Sequence, residues 1–358
     1  MFAKSIVTKG GDVFRDEKSL AFDGTDDYIA IPETTYDVDG GTVSFTFWAK
    51  RNDISVQNLV MSANNNYKNI NLHSNGNLYI ESDTNDDLAS ATITNDTNWH
   101  HYVITCNSGT VAMYEDGTAL SMGDSSISDD ITFNKISTSS SKVFNGNISE
   151  IAIYNCTLTA NQVKTIYNGR EPYNHKEGVA SGNLTSWYRM GDGLEKNKGL
   201  HSLEIGELIT VSKDKNMDSS NNWDVSSANW SIDGNSLDYD GSGGGSSALD
   251  QTYPSFTQGR TYEMKFNTSA NGTILAIKDG DGSNTFVGEA TYSSGTKTVT
   301  FIAPATTDGL MFTAGASSAA FAIDWVNVKE FNVYDMSDNT NDGRLINMTT
   351  IDFEGDTP

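Results

Sequence analysis

The stretch that decides the fold is SLAFDGTDDYIAIP, residues 19–32. Apolar residues alternate on both sides of an acidic turn, which is the pattern of two short strands joined by a hairpin. Asp23 and Gly24 favour a turn with glycine at positive φ, and the carboxylates of Asp26 and Asp27 can cap backbone amides. The three carboxylates are also the hard oxygen ligands that calcium prefers. The residues therefore leave two interpretations open, a structural turn and a metal site.

The composition of the whole chain favours strands and turns over helices. The chain has 358 residues, which predicts two or three domains because single cores stop growing at about 250 to 300 residues. Only 37% of the residues are hydrophobic and 32 are glycine, as expected for many short strands around thin cores.

The formal net charge of −24 limits the partners. Nucleic acid is excluded as a partner, because binding phosphates requires clustered Lys and Arg. The acidic balance fits calcium binding, and it fits solubility in a salty medium equally well.

Cysteine usage and apolar runs indicate a soluble protein. Cys106 and Cys156 are too few for a disulfide framework in so long a chain, and whether the two pair stays open. The N-terminal residues show no apolar core of signal-peptide length, and no run approaches the roughly 18 apolar residues of a membrane span. We therefore expect neither export by a signal peptide nor membrane insertion.

Period-two alternation continues through residues 19–169. Asn75-Gly76 predicts a tight hairpin turn. One helix is predicted, in TLTANQVKTIYNG at 157–169, with Thr159 as its N-cap and Gly169 as its C-terminal stop. Many strands with a single short helix predict a β-sandwich.

A second strand-rich segment covers residues 205–331. Its glycine cluster GSGGGSS, at 241–247, is interpreted as a loop between strands because strand patterns continue on both sides. The predicted fold class is all-β, with two jelly-roll β-sandwiches, the second inserted near the C-terminal strands of the first.

Several segments of the first part resemble, in order, the laminin-G-like or concanavalin A-like jelly-roll domains. They are the opening hairpin quoted above, the strand GTVSFTFWAK, the pair TNWHHYVITCNSGTVAMYEDGTAL with its Asp-Gly turn, and the closing strand and helix in FNGNISEIAIYNCTLTANQVKTIYNG. The resemblance covers about residues 18–170.

The borders of the inserted segment carry a second resemblance. SWYRMGDG (186–193) and DMSDNTNDGRLINM (335–348) resemble the two halves of a strand pair that borders such domains. The segment between them, which ends in IDWVNVKEF, resembles carbohydrate-binding-module jelly rolls of the galactose-binding type. The predicted domains are an N-terminal arm of residues 1–17, a first sandwich of residues 18–200 plus 332–358, and the inserted sandwich of residues 205–331.

The second resemblance implies a structural calcium ion on the last strand of the inserted sandwich. Asp324 matches the ligand position, and Asp218 is the nearest candidate for its acidic partner. The alternative is that Asp324 caps a strand end. The metal-ligand candidates are therefore Asp324, Asp218, Asp26 and Asp27, and calcium is the expected cofactor.

Aromatic residues suggest where a sugar would stack. Sugar rings can lie against flat aromatic faces while polar groups bind the hydroxyls. The predicted platform at the loop-rich start of the second sandwich consists of Trp223, Trp230, Tyr239 and Tyr253. Tyr67 and His73 suggest a weaker one in the first sandwich, whereas Trp48, Trp99 and Trp187 follow strand patterns and are predicted to be core residues.

Catalytic motifs do not emerge from the sequence. Sandwich glucanases carry paired carboxylates on one strand, and no such string occurs. His100 and His101 are adjacent on a predicted strand, so they should face opposite sides and cannot chelate one ion. Neither a nucleophile motif nor a phosphate-binding glycine loop is present. We therefore expect no enzymatic activity.

The combination of these sandwiches with an Asn-, Asp-, Ser-, Thr- and Gly-rich composition resembles structural proteins of tailed-bacteriophage virions. The resemblance implies a non-enzymatic capsid decoration, fibre or tail appendage, with glycan binding in host attachment. Expected partners are capsid or tail proteins, host surface glycans and further copies of the chain, in a virion assembled from protein made in the host cytoplasm. The N-terminal arm would serve as an anchor. The alternative is a bacterial cell-surface or secreted lectin or adhesin.

Overall fold

The computed structural model describes residues 18–64, 67–82, 87–138, 142–170, 173–190, 201–202, 223–225, 229–233, 236–243, 247–333, 335–337, 339, 341–348 and 352–358. The chain forms two compact units. Unit 1 comprises Met1–His201 and Asn332–Pro358, and unit 2 comprises Ser202–Phe331. The predicted arm, residues 1–17, lies outside the described residues.

The strands of unit 1 follow one another through short turns. In chain order they are β1 Ser19–Asp23, β2 Tyr28–Tyr36, β3 Thr42–Arg51, β4 Asn58–Ser62, β5 Asn69–Leu72, β6 Asn77–Glu81, β7 Leu88–Thr92, β8 His100–Asn107, β9 Thr110–Glu115, β10 Thr118–Ala119, β11 Met122–Asp124, β12 Ile131–Ser137, β13 Asn145–Tyr154 and β14 Leu184–Tyr188. Those of the insertion are β15 His201–Ser202, β16 Trp223–Asp224, β17 Trp230–Asp233, β18 Ser236–Tyr239, β19 Ser247–Phe256, β20 Thr261–Thr268, β21 Thr273–Asp279, β22 Thr285–Tyr292, β23 Gly295–Ile302, β24 Thr307–Ala314 and β25 Phe321–Val333. The chain ends with β26 Gly343–Ile346 and β27 Phe353–Glu354, which return to unit 1.

Unit 1 contains two antiparallel sheets. One has the order β10-β9-β8-β3-β13-β1-β27, with β14 also paired to β13, and the other has the order β11-β7-β6-β5-β4-β12-β2-β26. The alternation in the opening stretch buries Leu20 and Phe22 on β1 and Ile29 on β2. Phe45 of one sheet meets Phe133 of the other edge to face, with ring centroids 5.6 Å apart. The core of unit 1 therefore lies between its two sheets.

The helix of unit 1 has the predicted cap. Helix α1 is Ala160–Tyr167, and the Thr159 hydroxyl and Gln162 side chain form a capping box at its start. Val163 and Ile166 are the buried face. The residue that ends the helix in the left-handed conformation is Asn168, one position before the predicted Gly169. Two 3-10 turns, Asn168–Arg170 and Ser181–Asn183, complete the helical residues described.

Unit 2 has its own pair of sheets and its own core. One sheet has the order β17-β18-β25-β20-β23, and the other has the order β16-β19-β24-β21-β22. Aromatic side chains fill the core, among them Phe256, Tyr262 and Phe301. The prediction of an all-β jelly-roll class is confirmed, and so is the burial of Trp48, Trp99 and Trp187.

Candidate functional site

A polar pocket of about 450 Å³ opens at one end of unit 1. We call it the rim pocket, and it is lined by Asp39, Lys68, Ser82, Asp129 and Asp130. These residues lie in four connections, those between β2 and β3, β4 and β5, β6 and β7, and β11 and β12. The antiparallel order brings such connections to the same end of a sandwich, and the pairing of Asn69 with Glu81 places the β4–β5 and β6–β7 loops side by side.

Hydrogen bonds within the loops shape the rim pocket. The Lys68 ammonium donates to the backbone carbonyl of Asp130 at 2.6 Å. The Asp87 carboxylate accepts from the backbone N–H groups of Ser128 and Asp129 at 3.0 and 3.1 Å, and it also accepts the hydroxyl of Ser82. These bonds tie the β11–β12 loop to the loops on either side of β5 and β6.

The rim pocket carries an excess of negative charge. Asp37, Asp39 and Asp130 each place a carboxylate oxygen within 4.8 Å of the others. Burial and the nearby Asp37 and Asp39 carboxylates raise the pKa of Asp130. Its Oδ1 atom is buried and has no hydrogen-bond partner among the described residues. The pocket can therefore accept hydrogen bonds from hydroxyl groups at its carboxylates and at the Ser82 oxygen, while the Lys68 ammonium offers donors.

An exposed aromatic ring stands next to Lys68 in the chain. Tyr67 is 54% exposed, and apart from Val56 it is the only large apolar side chain exposed in the part of the chain that the structure describes. Tyr67 is the weaker aromatic candidate that the sequence suggests, whereas none of the five residues of the rim pocket is predicted from it. The available signal was the acidic character of the DVDGG and SDD loops.

The acidic turn of the opening stretch is bonded to its own backbone. The Asp23 carboxylate accepts the N–H of Thr25 at 2.7 Å, and the Asp27 carboxylate accepts the N–H of Asp23 at 2.9 Å. Asp27 is only 4% exposed, and burial raises its pKa to about 7, with smaller contributions from Asp23, Asp352 and Asp26. The three carboxylates also lie within 4.8 Å of one another, so the turn has both the capping bonds and the grouping of acids considered above.

The predicted sugar platform of the second sandwich needs a correction. Trp230 and Tyr239 are 4% and 2% exposed and pack on each other with ring centroids 5.3 Å apart. Both belong to the core of unit 2, because they pair across β17 and β18 with their rings on the core side. A sugar cannot stack on them. Trp223 and Tyr253 lie on β16 and β19, and their side chains lie outside what the structure describes.

Of the two predicted calcium ligands of unit 2, the structure describes only Asp324. The Asp324 carboxylate, on β25, accepts a hydrogen bond from the Asn267 side-chain amide. Asp218 lies outside the described residues. Trp325, the next residue on β25, is partly exposed. In the sequence it is only one letter of the strand motif IDWVNVKEF and is not a predicted site residue.

The adjacent histidines face different surroundings, as predicted. The imidazole of His101 is 1% exposed and bonds the Thr46 hydroxyl at 2.7 Å, and burial lowers its pKa to about 3. The ring of His100 lies between Asp116 at 3.0 Å and Asp96 at 3.1 Å, and the bond to Asp116 raises its pKa.

Two further observations concern the two cysteines and the length of the helices. Cys106 and Cys156 are free thiols, which answers the question that the sequence left open. In the portion of the chain described, no helix is both long enough and apolar enough to cross a membrane.

Comparison with known proteins finds a family model that matches part of unit 1. Residues 23–164 match the model of the Concanavalin A-like lectin/glucanases superfamily. This segment therefore has the concanavalin A-like fold that its motifs predicted. A comparison with curated proteins gives no match.

Solved structures show a distant likeness in fold. One is a protein from Bacteroides ovatus described as carbohydrate binding, with 16% identity and a TM-score of 0.39 over 54% of this chain and 58% of that one. The sialidase of Trypanosoma rangeli has 13% identity and a TM-score of 0.28 over 36% of this chain and 22% of that one. The C-terminal CBM6 of LamC from Zobellia galactanivorans has 15% identity and a TM-score of 0.23 over 30% of this chain and 89% of that one. The chain thus spans just over half of the first structure and about a fifth of the second.

Proposed function

We propose that the protein is a non-enzymatic carbohydrate-binding protein and that the rim pocket holds the sugar. The observation that carries the proposal is the pocket itself, about 450 Å³ lined by three carboxylates, an ammonium and a hydroxyl in the concanavalin A-like unit. Small-molecule sites usually measure about 300 to 1,000 Å³ and use a few fixed polar groups to orient the ligand.

The chemistry of the pocket suits sugar hydroxyls. Asp39, Asp129 and Asp130 would accept hydrogen bonds from hydroxyl groups, and bonds to charged acceptors are stronger than neutral ones. Lys68 would donate to sugar oxygens, and the Ser82 oxygen would accept from a sugar hydroxyl. Tyr67 precedes Lys68 in the chain, and its exposed ring would be available for a sugar to stack on. The acidic lining disfavours anionic sugars, so the ligand we infer is an uncharged saccharide.

The setting that we propose for this binding is the surface of a tailed-phage particle. The support is the Asn-, Asp-, Ser-, Thr- and Gly-rich composition together with two sandwiches that each have their own core. In that setting the protein would contact capsid or tail proteins, form a homo-oligomer and bind host glycans. This setting is tested by mass spectrometry and immunogold labelling of purified phage particles, which should both detect the protein. A bacterial surface or secreted lectin would be found in cell envelopes or medium, with none in particles.

Structural calcium is a further part of the proposal. The grouping of Asp23, Asp26 and Asp27 supports it, although calcium requires six to eight oxygen ligands. Asp324 stays a candidate ligand with Asp218. Calorimetric unfolding with calcium, with magnesium and with a chelator tests it. A rise in melting temperature with calcium alone, lost in Asp26→Asn or Asp324→Asn, supports a site at that residue, and equal melting in all three conditions contradicts it.

A glycan array with the full chain tests the function. We expect binding to a set of uncharged oligosaccharides, and we expect chromatography of the same oligosaccharides to show no hydrolysis after prolonged incubation. Absence of binding to every glycan contradicts the proposed function. Release of shorter sugars contradicts its non-enzymatic part.

A further inference from the structure

A bulge in strand β25 turns a tryptophan away from the core of unit 2. Phe266 pairs with Val326 and Thr268 pairs with Ile323, so Asn267 alone opposes both Asp324 and Trp325. Ile323 and Val326 are fully buried. Since both flanking residues face the core, Asp324 and Trp325 lie together on the opposite face of the sheet. Bulges are frequent next to binding sites, where they redirect a side chain.

The surface around Trp325 is polar. We call it the Trp325 face, and it consists of Trp325, Asp324, Asn267, Lys265, Asn327, Thr296 and Thr298 on three neighbouring strands. The indole ring is partly exposed and has neither a ring contact nor a hydrogen bond with any residue that the structure describes. The Asn267 amide is held by Asp324, so a donor and an acceptor are fixed beside the ring.

The charges of this face nearly balance. The outward charged residues of β20 and β25 are two carboxylates, Glu263 and Asp324, and two ammonium groups, Lys265 and Lys329. Asp238, on the neighbouring strand β18, adds one carboxylate on the same side. The Lys265 ammonium lies 3.0 Å from the Glu263 carboxylate. In a chain of net charge −24, a patch with three carboxylates and two ammonium groups is close to neutral, which suits a ligand without charge.

We propose that the Trp325 face is a second carbohydrate site, and that its ligand is an uncharged oligosaccharide stacked on the indole. The C–H groups of a sugar ring are attracted to the electron-rich aromatic face. Asn267, Asp324 and the threonine hydroxyls would bind the sugar hydroxyls. The proposal shares with the proposed function the class of ligand, and it depends on a different set of residues in a different unit.

The test uses the ¹⁵N-labelled full chain and four probes, cellohexaose, laminarihexaose, xylohexaose and mannohexaose. The indole N–H resonance of Trp325 is assigned as the one lost in Trp325→Ala. We expect one probe to shift both this resonance and the side-chain amide resonance of Asn267, which lies on the same face. The affinity followed at Asn267 should fall about tenfold or more in Trp325→Ala, and Trp325→Phe should recover most of it. Lys278→Ala, on the other sheet of unit 2, is the matched control and should bind as the wild type does.

Rim-pocket variants separate this proposal from the proposed function. In Asp39→Ala/Asp129→Ala, the shift at Trp325 should persist even where rim-pocket binding is lost. A Trp325 resonance that no probe moves overturns the second site, whether or not the rim pocket binds. Unchanged affinity in Trp325→Ala overturns it as well. If Trp325→Ala loses binding and Asp39→Ala/Asp129→Ala keeps full binding, the second site is supported and the rim pocket is contradicted as a sugar site.

Discussion

The Oδ1 atom of Asp335 accepts the backbone N–H of Trp187 at 2.7 Å, although 148 positions separate the two residues. The same oxygen accepts the N–H of Ser337 at 2.9 Å, and Oδ2 accepts that of Asn341. Asp335 is only 7% exposed. One buried carboxylate therefore holds together the two chain segments that flank unit 2, on the side of unit 1.

Replacing this carboxylate should destabilise unit 1. Asp335→Ala leaves three N–H groups without their acceptor, one of them fully buried. We expect the free energy of unfolding to fall by about 2 kcal/mol or more. Asp335→Asn keeps one oxygen acceptor and should lose less. Urea denaturation followed by fluorescence measures both. Equal midpoints for Asp335→Ala and the wild type would contradict this role.

The closeness of the flanking segments also predicts that unit 2 can be removed. Tyr188 and Asp335 form an isolated antiparallel β-bridge. The backbone N–H of Met336 donates to the carbonyl of Trp187 at 2.7 Å. We expect a variant in which a short Gly-Ser linker replaces residues 202–331 to keep the β-sheet circular dichroism and cooperative melting of unit 1. An insoluble or non-cooperatively melting product would show that unit 1 requires the insertion.

The raised pKa of Asp27 makes stability depend on pH. Because the folded pKa of about 7 lies above the ordinary value of 3.8, folding favours the protonated acid. Its contribution is complete below pH 3.8 and is lost as the pH rises through 7. The side chain in Asp27→Asn stays neutral. This variant should match the stability of the wild type near pH 3.8 and be more stable than the wild type above pH 7.

The control for this pH effect is Glu177→Gln, at an exposed carboxylate of unit 1 that does not contribute to the pKa of Asp27. Denaturation over a pH series measures the difference between each variant and the wild type, so that other titrating groups cancel. A constant difference for Asp27→Asn across the series, or the same slope in Glu177→Gln, would refute the assignment.

Gly146 permits the close approach of two strands. Its φ is +142°, and a Cβ there would lie 2.0 Å from the Lys50 carbonyl oxygen. We expect Gly146→Ala to lower the free energy of unfolding by about 3 kcal/mol or more. Gly169 also has positive φ, at +66°, but nothing lies within 4 Å of its Cβ position, so Gly169→Ala should cost only about 1 kcal/mol. Similar losses in the two variants would contradict the steric argument.

Period-two alternation predicted the fold class because one face of each strand is buried. The same rule explains why the sugar platform at Trp230 and Tyr239 was wrong. Trp230 alternates with polar residues on β17, and Tyr239 does so on β18, which is the pattern of core residues. The rule fails at Trp325, since strict alternation from Ile323 would place that ring inside, and the bulge reverses it. The rim pocket could not be predicted, because its residues come from four loops that only the tertiary fold brings together.

The most direct measurement of the central claim is calorimetric titration of an uncharged oligosaccharide, selected on the array, into the Asp39→Ala/Asp129→Ala variant. Both carboxylates are exposed, so the fold should persist. The matched control is Glu289→Ala/Asp308→Ala, which removes two exposed carboxylates from unit 2. We predict about tenfold or greater loss of affinity in the first variant and none in the control. Wild-type affinity in the rim-pocket variant would contradict the account.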